Sequence, residues 1–246
     1  MNLISYIGKY FLFLIEIFKK NEKKIIIYKT TIDEIYNLGI KSISFVIFVS
    51  MFVGAVVTIQ TTANMEGSWM PRTLIGYATR DAIILEFSPT IISLLLAGKV
   101  GSNIASSIGS MRITEQIDAL EVMGVNPVSY LIKPKIFAMV LFNPILISLS
   151  MIIGIIGGLF AVILSGDCTI SEYVSGIKYS FVPYKTFYAL VKTILFAFII
   201  SSVSSFFGFN VKGGALEVGK SNTRAVVFSS VLIIVSNYIL TQLLLS

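Results

Sequence analysis

Histidine is absent from this chain, and cysteine occurs once in its 246 residues. Without histidine there is no imidazole base to activate a nucleophile, and the commonest metal ligand is missing. The single cysteine, Cys168, cannot close an internal disulfide. It falls in what reads as an outer loop, where it is expected to be structurally incidental. Charge is also scarce. Asp, Glu, Lys and Arg make up only 13% of the residues, hydrophobic residues make up 55%, and the mean hydropathy is +0.88. Such values lie well outside the range of soluble globular domains, so a water-soluble enzyme is excluded. No catalytic residue, no metal set and no cofactor are expected.

The apolar residues are grouped into membrane-length runs. Residues 42–65 are uncharged for 24 positions, 136–166 for 31, 193–211 for 19 and 225–246 for 22. A bilayer crossing needs roughly 20 apolar residues, so each run suffices for one span. A fifth lies between residues 82 and 98, interrupted only by Glu86. The 31-residue run exceeds one straight crossing. It must tilt, kink near Asn143-Pro144 or protrude, with a shallow hairpin the less favoured arrangement.

The N-terminus differs. Leu3, Ile4, Ile7, Phe11, Leu14, Ile15 and Phe18 form an apolar stripe interrupted by Lys9, Glu16, Lys19 and Lys20. A cleaved signal peptide carries its positive charge before the apolar core, whereas Lys19, Lys20, Lys23 and Lys24 follow it here. The stripe is too short and too charged to span, which predicts an amphipathic helix in the cytoplasmic interface. Residues 1–34 are therefore taken as an interfacial region and 35–246 as the transmembrane domain.

Basic residues set the orientation. With the N-terminus inside, 14 of the 19 Lys and Arg are cytoplasmic. Seven lysines precede the first span, and Lys99, Arg112, Lys133 and Lys135 flank the segment between spans two and three. Lys212, Lys220 and Arg224 precede the last span. Arg72, Arg80, Lys178 and Lys185 fall outside, and Lys192 lies within a span. The C-terminus is then external. The net charge of +6 follows from this topology and calls for no nucleic-acid partner.

Between the second and third spans, residues 109–127 form a charged cassette with the make-up of a short helix. Thr114 is placed to cap its N-terminus, and Glu115 puts negative charge in the first turn, where the helix dipole favours it. Gly124 offers a left-handed stop and Pro127 prevents continuation. Ile113, Ile117, Leu120 and Met123 share one face, opposite Glu115, Asp118 and Glu121. A rigid polar helix between two spans suits force transfer from a soluble motor; an ordinary solvated loop fits the same pattern.

Residues 214–221 match the phosphate-binding pattern G-x-x-x-x-G-K-S. That loop works only between a buried strand and a helix of an α/β domain. Here a membrane-length run precedes it and 25 residues follow, with Arg224 their only charge, so a tight glycine-rich turn is expected instead.

Polar residues inside spans are costly and mark pathways or pairs. Glu86 and Lys192 each lie about five residues into their spans from the outer side, and Gln60 lies near the outer end of the first. A Glu86–Lys192 pair lowers the burial cost of both charges. Both a structural ion pair and a polar patch lining a substrate cavity accommodate this arrangement. Pro89 loosens the helix beside Glu86 and favours a bent, cavity-forming span.

Several stretches resemble one family. They are Glu86-Phe-Ser-Pro89, Leu96-Ala-Gly-Lys-Val-Gly101-Ser, Ile108-Gly-Ser-Met-Arg112-Ile-Thr-Glu115-Gln-Ile-Asp-Ala-Leu-Glu-Val-Met-Gly124, and Gly213-Gly-Ala-Leu-Glu-Val-Gly219 followed by Thr223-Arg-Ala-Val-Val227. In this order, across roughly residues 35–246, they look like the MlaE-type permease subunit of lipid-trafficking ABC transporters. The resemblance implies an all-α membrane protein with an N-terminal interfacial helix, five spans and a cytoplasmic coupling helix between spans two and three. It also implies a homodimer in the bacterial inner membrane, cytoplasmic ABC ATPase subunits, a periplasmic MCE-domain lipid-binding protein, and phospholipid or a related lipid as cargo. Thr114, Glu115, Gln116, Asp118, Leu120 and Glu121 then contact the ATPase, while Gln60, Glu86 and Lys192 line the lipid site. Leu85 departs from relatives that carry Arg there, which puts direct phosphate recognition at that position in doubt. Two other classes remain as alternatives. One is a secondary transporter using Glu86 and Lys192 as an ion relay, although no inverted repeat is visible. The other is a scaffold without transport activity.

Overall fold

With no water in hydrocarbon to satisfy the backbone, a spanning segment must make its hydrogen bonds internally. Every regular element of the computed structural model is accordingly helical, and no strand occurs among the described residues, 3–19, 24–65, 71–166 and 168–245. Five helices are long and apolar enough to cross a membrane: Ile25–Met65, Thr73–Ile113, Val128–Ser165, Pro183–Phe209 and Ala215–Leu244. Each is built around one of the five runs read from the sequence, so the protein is an all-α, multi-pass membrane protein.

In chain order the α-helices are α1 Leu3–Lys19, α2 Lys24–Glu34, α3 Ile43–Met65, α4 Thr73–Ala82, α5 Ile92–Leu96 and α6 Ser102–Ile113. They continue with α7 Gln116–Val122, α8 Lys133–Ser165, α9 Ile170–Lys178, α10 Pro183–Phe209 and α11 Ala215–Leu245. Wider turns, closing i to i+5, join α2 towards α3 (Ile35–Gly39), α4 to α5 (Ile83–Ile91), α5 to α6 (Ala97–Gly101), and lead into α8 (Val128–Ile132). The 31-residue run is one continuous helix: α8 carries Pro144 in its interior and is no hairpin. At 1.5 Å per residue its 33 residues reach about 50 Å, more than one straight crossing.

The chain forms two compact units. The first comprises Met1–Lys41, Leu94–Phe142 and Leu195–Ile239. Here α1 packs on α10. The Tyr10 and Ser202 hydroxyls lie 2.7 Å apart in a hydrogen bond, and the Tyr10 and Phe13 rings meet Phe206 edge-on at 5.5 and 5.4 Å. Phe13 and Ile17 are buried, whereas Phe11 and Ile15 of the expected stripe are exposed. An apolar side chain near a membrane has two apolar surroundings available, protein and lipid, so the pattern alone does not say which face packs. Lys20 and Lys23 lie outside the described residues, as do the side chains of Leu3, Ile4, Ile7, Phe18, Lys19 and Lys24.

The second unit comprises Ser42–Ser93, Asn143–Ile194 and Leu240–Ser246. Small residues let α3 and α8 meet backbone to backbone, the mode of helix association that lipid permits. A Cβ on Gly54 would lie 1.8 Å from the Gly154 carbonyl oxygen, and one on Gly157 would lie 2.1 Å from that of Met51. Beside this contact Ser50 donates to Ser150 (2.8 Å) and Ser150 to Ser88 (3.1 Å), linking three spans. Helix α9 packs closely on α4, with Arg80 donating to the carbonyls of Ile177 (2.7 Å) and Tyr179 (2.8 Å) at its C-terminal end. A reciprocal cap starts α9: the Thr169 hydroxyl accepts from the Glu172 N–H, and Thr169 donates to the Glu172 carboxylate from both its backbone and its hydroxyl. Those donors hold the Glu172 carboxyl below its ordinary range. Cys168 is not incidental. It is buried with Ile75, Val162 and Tyr173, where a thiol behaves as a small hydrophobe. Burial in the same cluster pushes the Tyr173 hydroxyl up to about 12, so it stays a neutral donor to the Ile155 carbonyl.

Candidate functional site

Pro89 organises the membrane site. It cannot supply the N–H that the Leu85 carbonyl would accept in an α-helix, and the turn Ile83–Ile91 widens around it. Lys192 Nζ donates to that Leu85 carbonyl at 3.3 Å and to Glu86 Oε1 at 2.7 Å. It also stands 4.6 Å from the centre of the Tyr188 ring. Lys192 is fully buried, while the Glu86 side chain is 41% exposed. A buried ammonium is tolerable only with such compensation: a carboxylate, a carbonyl and an aromatic face.

Glu86 is held from several directions. Thr90 donates to Oε2 at 3.2 Å, and Thr241, from the last span, donates to Oε1 at 3.3 Å. Tyr188 donates in turn to Thr241 at 2.9 Å. The result is a half-exposed carboxylate fixed in position with its charge balanced from the buried side. The sequence-derived pairing of Glu86 with Lys192 is therefore present. Gln60 is exposed on α3, and no hydrogen bond joins it to either residue among the described residues. Thr90 and Tyr188 carried a readable signal, since each lies one helical turn from a charged residue. Thr241 carried none, because only the tertiary fold brings it to Glu86.

The charged cassette is a helix, with a shifted start. Thr114 ends α6, its hydroxyl donating to the Ser110 carbonyl at 2.9 Å, and it does not cap the next helix. Glu115 occupies the cap position of α7 in the left-handed region (φ 58°), without a side-chain capping bond, so α7 begins at Gln116. The break arises because Thr114 prefers to bond back onto its own helix. The C-terminal stop is as expected. Gly124 has φ +79°, its N–H bonds the Glu121 carbonyl, and the Val125 N–H bonds that of Leu120. Ile117 is buried, but Met123 is 68% exposed beside Val122, which is 90% exposed, so Met123 leaves the packed face expected for it. Asp118 pairs with Arg112 at 2.5 Å, while Glu115, Gln116 and Glu121 are exposed.

The phosphate-loop match has no matching geometry. Residues 215–221 are the first turns of α11, with no strand before them, and Ser221 donates to the Phe207 carbonyl at 2.7 Å. Lys220 pairs with Glu217 at 2.6 Å one turn away. Lys220→Ala is expected to cost only this solvent-screened pair, without a measurable shift in melting temperature, and to leave nucleotide binding by the purified chain unchanged. A nucleotide retained by the wild-type chain and lost from the variant would establish a phosphate site there.

The fold and site define a multi-pass helical membrane protein with a charge pair inside its spans and a polar helix between two of them, features that a membrane permease accommodates. The Permease MlaE family model matches residues 31–243, and the chain belongs to that family. Relatives extend along most of it. A probable ABC transporter permease protein of Rickettsia bellii is 31% identical, covering 99% of this chain and 93% of its own length. A probable ABC transporter permease protein of Synechocystis is 34% identical over 88% of this chain and 82% of its own. The Arabidopsis thaliana chloroplastic protein TRIGALACTOSYLDIACYLGLYCEROL 1 is 32% identical over 87% of this chain and 61% of its own.

Proposed function

We propose that this chain is the permease subunit of an ABC transporter that moves phospholipid or a related lipid between the inner membrane and the periplasm or outer membrane. ATP is hydrolysed in a separate subunit, and the permease itself catalyses no chemical step. Membership of the MlaE permease family supports the transporter class, as do relatives named as probable ABC transporter permeases. The lipid cargo is supported by the Arabidopsis relative, whose name contains that of a glycolipid. The observation that carries the site assignment is the half-exposed Glu86 carboxylate, held within an apolar span by the buried Lys192. A polar foothold in hydrocarbon that is only half covered suits a lipid headgroup.

In this reading the N-terminus is cytoplasmic, the C-terminus is periplasmic, and α1 lies in the cytoplasmic interface. Two copies form an outward-open cavity lined by their first two spans, with Gln60 and Glu86 on its walls and the buried Lys192 of the fourth span holding Glu86 in place. A periplasmic MCE-domain protein exchanges lipid with that cavity. The cytoplasmic ATPase meets Thr114, Glu115, Gln116, Asp118, Leu120 and Glu121, with the exposed Val122 and Met123 as an apolar tip. ATP-driven closure of the motor pushes α7 and collapses the cavity.

The test is co-purification of the ATPase with charge-reversed permease. Glu121→Lys alters an exposed acid and should lower ATPase recovery about tenfold, since rim charges register and steer a partner. Asp118→Lys also breaks the Arg112 pair and should lower it further. Unchanged recovery and unchanged lipid transfer in both variants would return α7 to the role of an ordinary loop helix.

A further inference from the structure

The first unit contains a polar cleft of about 650 Å³, within the size range of small-ligand sites. One wall is a face of α6 made of Ser102, Asn103, Ser106, Ser107 and Ser110, while Ile104, Ala105 and Ile108 on its other side are buried. This polar face follows Lys99 at the end of the helix Thr73–Ile113, and its side chains are half-buried or exposed. Its hydroxyls are therefore available to water or to a polar ligand.

The remaining lining supplies the charge: Lys41, Lys99 and Lys135 against the single carboxylate of Glu34, an excess of two positive charges. Lys135 pairs with Glu34, which fixes the deeper end of the lining. Lys99 Nζ donates to the Lys41 carbonyl and Lys41 Nζ to Asn37 Oδ1, each at 2.8 Å, so two ammonium groups are held on one side. Asn222 also lines the cleft, and its Oδ1 has no hydrogen-bond partner among the described residues. A flip of that amide presents donors instead. Ammonium groups beside a row of hydroxyls form the donor set that suits phosphate oxygens.

We propose that this cleft binds a phosphate-bearing anion, with Lys41 and Lys99 supplying charge and the α6 hydroxyls supplying neutral donors. The site shares no residue with the Glu86–Lys192 network and does not rest on the lipid-transport reading. Its ligand is either an anionic lipid headgroup or a soluble phosphate, and two probes separate these.

The full chain is transferred from nanodiscs of phosphatidylcholine doped with phosphatidylglycerol into neutral detergent. Retained phosphatidylglycerol is then measured by native mass spectrometry, and radiolabelled orthophosphate binding by equilibrium dialysis. Retained phosphatidylglycerol that excess orthophosphate does not displace identifies a headgroup site, whereas orthophosphate that binds and competes identifies a soluble ligand. In either case Lys41→Gln with Lys99→Gln should lower retention about tenfold or more, and Lys41→Arg with Lys99→Arg should preserve it. Ser106→Leu, which fills the cleft without changing its charge, should also lower it. The proposal is overturned if the wild type retains neither probe, or if the glutamine pair and Ser106→Leu both retain as much as the wild type.

Discussion

Glu86→Leu is expected to lower the stability of the protein in detergent by about 3 kcal/mol, the lower end of the cost of stranding one member of a buried pair. The charge left behind is that of Lys192, which is fully buried, while water reaches the place of the 41% exposed carboxylate and offsets part of the loss. The reverse substitution is far milder. Lys192→Met leaves a carboxylate that can rehydrate, and should cost about 1 kcal/mol or less. Combining Glu86→Leu with Lys192→Met removes the unpaired charge and should recover most of the stability, so the cycle gives the coupling energy directly. Thermal melting of the three variants measures it. Lipid transfer by the double variant decides the second half of the question. If the pair serves transport, a stable double variant transfers poorly; restored stability with normal transfer would reduce Glu86 and Lys192 to a structural pair.

The crossing of α3 and α8 should be still less tolerant. Gly54→Ala places a methyl 1.8 Å from a backbone oxygen of Gly154, and no side-chain rotation relieves that contact. Overpacking of this kind costs about 3 kcal/mol or more, and Gly54→Leu is expected to yield no monodisperse protein on size exclusion. Gly219→Ala is the control. It lies in α11 with nothing within 4 Å of its added carbon, and should raise stability by about 0.5–1 kcal/mol through the better helix former. Equal behaviour of the two alanine variants would mean that the glycine contact between α3 and α8 contributes nothing to the fold.

Both cases separate what composition reveals from what packing adds. The five spans were legible because the hydrocarbon imposes a length and an apolarity that no other environment requires. The Glu86–Lys192 pairing was legible for a related reason: two opposite charges placed at similar depth in hydrocarbon have few partners but each other. The face on which α1 packs was not legible, since lipid and protein interior are equally apolar. Nor was the start of α7, where a back-bond from Thr114 competes with a capping role that its residue type suits equally well.

The phosphate-loop pattern shows the same limit from the other side. Its eight letters are compatible with a phosphate cradle or with two helical turns; the membrane-length run before them argues against the cradle, and the helix from Ala215, with Ser221 bonded to Phe207, shows the turns. By itself the sequence determined the class of protein, the number of spans and the identity of its costly charges, because those follow from transfer free energies of single residues and short windows. The tertiary structure alone decided that Thr241 supports Glu86, that Cys168 is a core residue, and that the α6 hydroxyls share a cleft with Lys41 and Lys99. These depend on contacts between residues far apart in the chain, which no local pattern encodes.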